Sequence, residues 1–138
     1  MPATPPPSIC PTLLYGDPKA AIELLTTAFG FTRGALYEDE SGTVLHAELS
    51  YGNGTVMIGA KGRGGVFAEA MADAGPTGVY VAVADVDAHH EQAAAAGAEI
   101  LMPPTDQDYG SRDYMARDKE GNVWSFGTYA PSTKDADA

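Results

Sequence analysis

The segment VLHAEL alternates apolar residues with two polar residues whose side chains can accept or donate a proton. His46 and Glu48 stand two residues apart, so in a β-strand they share one face. Leu45, Ala47 and Leu49 fall on the opposite face. A histidine titrates near neutral pH and can act as a general base or donate a hydrogen bond to a ligand. Glu48 could orient His46 or bind a cation. Alternatively, the two side chains only satisfy each other at the rim of a cleft.

The strands and helices that position these residues follow from a repeat whose two copies each occupy roughly half of the chain. Asp17 in the first half corresponds to Asp85 in the second, and each precedes a helical segment and suits its N-cap. Gly59 and Gly127 correspond at the same offset, and each ends a segment in which a Gly- and Asn-containing turn precedes a short strand. Each half of the chain therefore reads as strand, helix, strand and closing hairpin.

We predict an α+β fold of two βαβββ units, each a curved mixed sheet that forms half of an open barrel with a helix on its convex face. The predicted organisation is a flexible tail (1–7), a first unit (8–59), a linker with a short helix (60–76), a second unit (77–130) and a flexible tail (131–138).

Pairing across the first predicted hairpin extends the polar face to the next strand. A loop of two or four residues around Gly52 and Asn53 pairs Glu48 or Ser50 with Met57, and an even loop keeps these residues on one face. The same parity in the second hairpin places Arg112 and Tyr114 on the face of Ser125. The predicted site then consists of the catalytic candidates His46, Glu48 and Tyr114 and the ligand-binding candidates Thr12, Met57, Tyr80, Arg112 and Ser125.

Several of these candidates admit a second interpretation. Arg112 could clamp an anionic group, or it could pair with Asp108 or Asp113. Tyr80 and Tyr114 suit the wall of a pocket for a planar or amphipathic ligand, although Tyr114 could equally lie in an interface. His89 and His90, which are adjacent in the second helix, are expected to be solvated.

Three segments carry a resemblance to a known family: YGDPKAAIELLTTAFGF, VYVAVADVDAHHEQAAAAGAEI and YGSRDYMARDKEGNVWSFGTY. They resemble the vicinal oxygen chelate superfamily, which includes glyoxalases, bleomycin-resistance proteins and extradiol dioxygenases. The resemblance covers roughly residues 8–130. The third segment is similar to the ending "YG…RDPEGN" of the glyoxalase-like branch, with Lys119 in place of the usual proline.

The resemblance implies four metal ligands, usually His and Glu, in the metal-dependent members. The corresponding positions in this chain are Cys10, Met57, Gly78 and Ser125. None of them is a histidine or a carboxylate, whereas hard and borderline divalent ions need oxygen or imidazole donors. We therefore expect neither the metal site of these members nor another cofactor, while binding of a divalent metal stays open.

Composition limits the classes of partner. The net charge is −11 with only 8 lysines and arginines, which argues against nucleic-acid binding. It suits a cationic ligand or, more simply, a solubilising surface. The single cysteine rules out an internal disulfide and fits a reducing cytoplasm. No apolar run approaches the length of a membrane span, about 20 residues.

Three functions are consistent with these observations. The first is a small-molecule-binding protein, like the bleomycin-resistance branch, that holds a ligand such as a cationic antibiotic in the cleft of a homodimer without a metal. The second is a glyoxalase-like lyase, isomerase or dioxygenase acting on a small carbonyl or oxygenated metabolite through His46, Glu48 and Tyr114. The third is a scaffold without a small ligand, which the mixed polar face disfavours.

Overall fold

The computed structural model describes residues 6–132 and contains two compact units, one ending at Pro76 and the other beginning at Thr77. The first unit contains β1 (Thr12–Tyr15), α1 (Pro18–Thr27), β2 (Thr32–Glu38), β3 (Val44–Tyr51), β4 (Gly54–Ala60) and α2 (Val66–Ala70). The second contains β5 (Gly78–Ala82), α3 (Val86–Ala95), β6 (Glu99–Asp106), β7 (Arg112–Arg117) and β8 (Val123–Gly127). Most of the two predicted tails lies outside the described residues.

Each unit has one four-stranded mixed sheet. The strand order is β1-β4-β3-β2 in the first unit and β5-β8-β7-β6 in the second. The pairs β1–β4 and β5–β8 are parallel, and the hairpin pairs are antiparallel. This confirms the α+β fold with two βαβββ units. Among the described residues the sheets are open and do not close into barrels.

Helices α1 and α3 begin where the sequence predicts, and each is followed by a glycine. Asp17 and Asp85 cap α1 and α3, and their Oδ1 atoms accept hydrogen bonds from the third helical amide, at 3.1 and 3.0 Å. Gly30 and Gly97 follow the helices with φ of 77° and 90°, a conformation that favours glycine. No helix in the described part of the chain is long and apolar enough to cross a membrane.

One face of each sheet forms a core with its helix. α1 packs on all four strands of the first sheet, and α3 packs on β6 and β7. The largest fully buried side chains include Trp124, Tyr114 and Phe126 in the second unit, together with Leu49 and Ile58 in the first. The opposite face of each sheet, called here the open face, carries the more polar residues.

Three of the four hairpins in the described residues close with the same five-residue turn. It occupies residues 39–43, 107–111 and 118–122, and the first amide donates to the fifth carbonyl at 3.0, 2.7 and 2.9 Å, respectively. The fourth residue is a glycine with φ of 86°, 93° or 95°, as expected for a three-residue loop that ends in a left-handed glycine. The β3–β4 hairpin differs, because only Gly52 and Asn53 separate its last pair.

This difference in turn length reverses the faces of β7. A three-residue loop shifts the pairing by one residue relative to a two-residue loop, and a shift of one residue exchanges the two faces of a strand. Tyr114 therefore pairs with Phe126 on the helix side, while Met115 pairs with Ser125 on the open face. The prediction that Arg112 and Tyr114 share the face of Ser125 is wrong for this reason.

The turn at 118–122 is held by a buried carboxylate. Asp118 is 4% exposed. Its Oδ1 accepts from the amides of Glu120 and Asn122, both at 3.0 Å, and its Oδ2 accepts from Asn122 Nδ2 at 3.0 Å and Trp124 Nε1 at 3.1 Å. Asn122 Oδ1 in turn accepts from the Thr77 amide at 3.0 Å, at the entrance to β5. Asp118 thus fixes the loop length, the core indole and the neighbouring strand together.

The variant Asp118→Ala is expected to lower the free energy of unfolding by about 3 kcal/mol, because it leaves a buried indole N–H and a buried amide without acceptors. Denaturant unfolding measures this change. Lys119→Ala, at the exposed next position, is the control and should change stability by less than about 0.5 kcal/mol. Equal stability of the two variants would contradict the role assigned to Asp118.

Candidate functional site

The predicted polar row of the first unit is present on the open face. Met57 pairs with Thr12 on one side and with Glu48 on the other. His46 Nε2 lies 2.8 Å from Glu48 Oε2, and the two side chains are 38% and 44% exposed. The His46 ring also stacks on Tyr37, with ring centroids 6.1 Å apart. These four predicted residues therefore share one face, and His46 and Glu48 form a pair accessible to solvent.

A cavity of about 330 Å³ lies at one end of this face. The sheet forms one wall, and the linker and α2 form the other. Leu45, predicted on the helix side, lines the cavity beside His46, because the β2–β3 register shifts next to it. The cavity is lined by Thr12, Leu14, Leu45, His46, Ile58, Gly59, Ala60, Arg63, Gly64, Gly65, Val66, Phe67 and Ala68.

A larger cavity, of about 590 Å³, lies between α1 and the edge strand β2. It contains charges of both signs, and two of them, Lys19 and Glu38, already pair at 3.4 Å. It includes none of the residues that the sequence singles out. We therefore take the smaller cavity on the open face as the candidate site of the first unit.

In the second unit, the open face carries a row of different composition. Ser125 pairs with Tyr80 on one side and with Met115 on the other. Tyr80 and Ser125 thus lie on the predicted face, while Met115 was not predicted.

Tyr114 and Arg112 serve the packing of α3 instead. Tyr114 is fully buried, and its hydroxyl oxygen lies 2.5 Å from His89 Nδ1. His89 and His90, expected to be solvated, are both half-buried with their rings against Tyr114. A tyrosine held in this core cannot act as the predicted catalytic residue on the open face.

Arg112 joins three elements of the second unit. Its guanidinium binds the carboxylate of Asp87 in α3 through two hydrogen bonds, at 3.1 and 3.0 Å, and Asp106 in β6 through a third, at 3.0 Å. These bonds raise the pKa of Arg112 and lower the pKa of Asp87. Because three of its five N–H donors already bind these carboxylates, the predicted role as an anion clamp has no support in the geometry.

A cluster that the sequence reasoning missed lies at the end of the open face of the second unit. This Asp113 cluster consists of Tyr80, Tyr109, Ser111, Asp113 and Tyr129. Asp113 is 5% exposed, and it accepts from the Ser111 hydroxyl at 2.5 Å and the Tyr109 hydroxyl at 2.9 Å. The Tyr80 hydroxyl donates to the Tyr129 carbonyl at 2.6 Å, and the Tyr129 amide donates to Ser111 Oγ at 3.1 Å.

A glycine makes room for this cluster. A Cβ atom on Gly127 would overlap Asp113 Oδ1 and would lie 2.6 Å from the Tyr80 hydroxyl. The signal that could have revealed the cluster is the turn DKEGN: its glycine in fourth place indicates a three-residue loop, which puts Asp113 opposite Gly127.

Tyr109 and Tyr80 in this cluster hold their protons more strongly than free tyrosine. The hydrogen bond that Tyr109 donates to Asp113 raises the pKa of its hydroxyl, with burial and the negative charge of Asp113 adding to the effect. Burial is the main cause that raises the pKa of Tyr80, where the charge of Asp113 acts in the same direction and a hydrogen bond with Ser111 opposes it. Both hydroxyls are therefore neutral around pH 7.

Comparison with known proteins agrees with this fold. The family model of the Glyoxalase/Bleomycin resistance protein/Dioxygenase superfamily matches residues 10–126. The chain belongs to this superfamily. The match confirms the resemblance seen in the three sequence segments.

Among solved structures of the superfamily fold, TioX from Micromonospora sp. ML1 is 36% identical, with a TM-score of 0.73 over 86% of this chain and 95% of that chain. A glyoxalase I mutant from Zea mays shares the fold at 19% identity, with a TM-score of 0.67 over 88% of this chain and 44% of that chain. An uncharacterized protein of Mycobacterium bovis is 30% identical, over 88% of this chain and 82% of its own length.

The positions that the resemblance assigns to metal ligands do not suit the usual ions. Cys10 and Met57 offer soft sulfur donors, Gly78 has no side chain and Ser125 offers a neutral hydroxyl. Cys10 Sγ lies 3.8 Å from the Pro7 carbonyl oxygen. No group of three or more His, Cys, Asp or Glu side chains within residues 6–132 could hold a metal ion. The donor set therefore does not fit the metal chemistry of glyoxalase I or the dioxygenases.

Alkaline titration tests the Asp113 cluster. A raised pKa means that the protonated Tyr109 hydroxyl stabilises the folded state below the ordinary value of 10.0 and that this stabilisation is lost as pH rises through the folded pKa. Asp113→Asn should shift part of the phenolate absorbance curve of the folded protein to lower pH.

Asp108→Asn, an exposed neighbour with the same change in charge, is the control and should leave the curve in place. Identical curves for wild type and Asp113→Asn would contradict the contact between Tyr109 and Asp113.

Proposed function

We propose that the protein binds a small organic molecule on its open faces and that it does so without a metal ion. The observation that carries this proposal is the cavity of about 330 Å³ on the open face of the first unit, beside the His46–Glu48 pair. Its volume is at the lower end of the range of about 300–1,000 Å³ that is typical of ligand pockets. The proposed role resembles that of the bleomycin-resistance branch of the superfamily.

The lining of the cavity supports a ligand with a flat apolar part and a polar edge. Leu14, Leu45 and Phe67 provide apolar walls, and Phe67 is 49% exposed. Thr12 and His46 provide hydrogen-bonding groups at the edge. A few polar groups in a mostly apolar concave surface are the usual composition of a small-molecule site.

Catalysis is the second candidate, and the specific observation that favours it is the contact between His46 and Glu48. A carboxylate 2.8 Å from the imidazole could orient it as a general base. Of the three predicted catalytic residues, however, Tyr114 lies in the helix-side core. The donor set at the four ligand positions also gives no support to the metal-dependent reactions of the superfamily. Binding is therefore the function that the geometry supports better.

Leu14→Phe tests the cavity, because the larger ring would fill part of it. Small heterocyclic and aromatic fragments that raise the melting temperature of the wild type should perturb the amide signals of Leu14 and Phe67. We expect Leu14→Phe to weaken these fragments at least about tenfold, since a filled pocket loses its buried contact area. Leu101→Phe, an exposed position in β6, is the matched control. Equal binding by both variants would contradict the assignment.

The same fragments test metal independence. Protein treated with a chelator should bind them with unchanged affinity, and elemental analysis should find less than one equivalent of Zn, Ni, Fe or Mn. A stoichiometric ion whose removal abolishes binding would overturn the metal-free proposal.

A homodimer is also proposed as the functional form. Each described sheet keeps two edge strands, β1 and β2 in the first unit and β5 and β6 in the second. Edge strands carry unpaired backbone groups that another chain can cover. Light scattering of the purified protein should give twice the chain mass of 14.3 kDa, and a monomer at micromolar concentration would contradict the proposal.

A further inference from the structure

We propose that the Asp113 cluster binds the ammonium group of a small organic cation. This inference rests on the proposed function, since it names the ligand class for the open face of the second unit. It differs from the general expectation drawn from net charge, because it assigns the recognition to one buried carboxylate and the tyrosines around it.

Within the described residues, Asp113 is a buried carboxyl group without a cationic partner. Its described partners are the hydroxyl groups of Ser111 and Tyr109, and no Lys, Arg or His within residues 6–132 forms an ion pair with it. The neighbouring Arg112 is directed to Asp87 and Asp106 instead. A buried carboxylate without a countercharge is costly, and a bound cation would offset part of that cost.

Aromatic rings provide the surface on which such a cation would lie. The rings of Tyr109 and Tyr129 stand at 88° to each other, with centroids 6.4 Å apart. These residues are 67% and 53% exposed, and Tyr80 is 39% exposed. The negative face of an aromatic ring attracts cations, and groups of rings are the usual receptor for alkylated ammonium ions. Three accessible tyrosines beside one buried carboxylate therefore favour a cation over an anion or a neutral molecule.

The arrangement depends on Gly127. Any larger residue there would displace the Asp113 carboxylate and the Tyr80 hydroxyl. These two groups can therefore lie close together only because residue 127 is a glycine. The carboxylate also keeps acceptor capacity, because its two oxygens can accept about four hydrogen bonds in total. Two are used by Ser111 and Tyr109. An ammonium N–H group could therefore donate to the carboxylate, whereas a quaternary ammonium would interact with it through charge alone.

The 138-residue chain is titrated with two ligands that have the same shape but differ in charge. Choline carries a quaternary ammonium group, and 3,3-dimethyl-1-butanol is its neutral counterpart. In amide NMR titrations, choline should shift the signals of Tyr109, Asp113 and Tyr129. The alcohol should bind at least about tenfold more weakly, because it lacks the charge.

Variants separate a binding role from a structural one. Asp113→Asn keeps the shape and an acceptor for Ser111, and it should weaken choline at least about tenfold. Asp108→Asn removes the same charge from an exposed neighbour and should change the affinity less than twofold. Tyr129→Leu should weaken choline by about two- to thirtyfold through loss of one ring. It leaves in place the main-chain groups that contact Tyr80 and Ser111, so it keeps the test valid if Asp113→Asn does not fold.

Three results would overturn the inference. The first is equal affinity for choline and the alcohol, and the second is a set of choline-induced shifts confined to the first unit. The third is unchanged choline affinity in Asp113→Asn, or in Tyr129→Leu if Asp113→Asn does not fold. Each is distinguishable from failure of the proposed function. Fragments that still bind beside Leu14 and Phe67 would leave that function standing, whereas an absence of fragment binding with the choline response intact would contradict only the assignment of the cavity in the first unit.

Discussion

The aspartate-held turn at 118–122 is the constraint on which the second unit depends. Asp118 fixes the number of residues between β7 and β8, and that number decides which side chains of β7 face the helix. With this turn, Tyr114 enters the core beside Phe126, and Asp113 is placed over Gly127 on the open face. Both the packing of α3 and the candidate cation site therefore follow from one loop length.

The two units have the same strand order but carry different side chains on their open faces. In the first, the open face presents the His46–Glu48 pair and a mostly apolar cavity closed by α2. In the second, it presents a buried carboxylate surrounded by hydroxyl groups and aromatic rings. Duplication of a βαβββ unit gives two similar sheets, but it does not give two copies of one site. The two open faces are therefore suited to different chemical groups.

Much of the fold could be predicted from the sequence, because its signals are local. Asp17 and Asp85 as caps, Gly30 and Gly97 as terminators and the near-constant offset between the two halves specify the helices and the repeat. The alternation of polar and apolar residues within each strand also placed Leu49, which is buried in the core, opposite His46, which lies on the open face. Alternation alone, however, only divides the side chains of each strand into two faces. It does not show which of these faces lies on the same side of the sheet as a given face of the neighbouring strand.

Which faces of neighbouring strands are continuous depends on the length of the turn between them. The repeat suggested the same turn length in both halves, and this was wrong. The stretches SYGNGTVMIG and DKEGNVWSFG align without a gap, yet the first contains a two-residue loop and the second a three-residue loop. In its hydrogen bonding, DKEGN matches DESGT at residues 39–43, which closes a different hairpin. Arg112 and Tyr114 were misplaced for this reason, and the same error concealed Asp113.

The unequal hairpin turns also affect how sites should be compared among related chains. A single-residue insertion or deletion in such a turn exchanges the inside and the outside of the strands that follow or precede it, while the rest of an alignment stays unchanged. Equivalent residues in two halves, or in two relatives, are therefore those that share a cross-strand partner rather than those that share an aligned column. By that rule the counterpart of Glu48, which faces Met57, is Met115, which faces Ser125. A change in turn length is thus a route by which a duplicated half could acquire a new binding surface without any substitution in its strands.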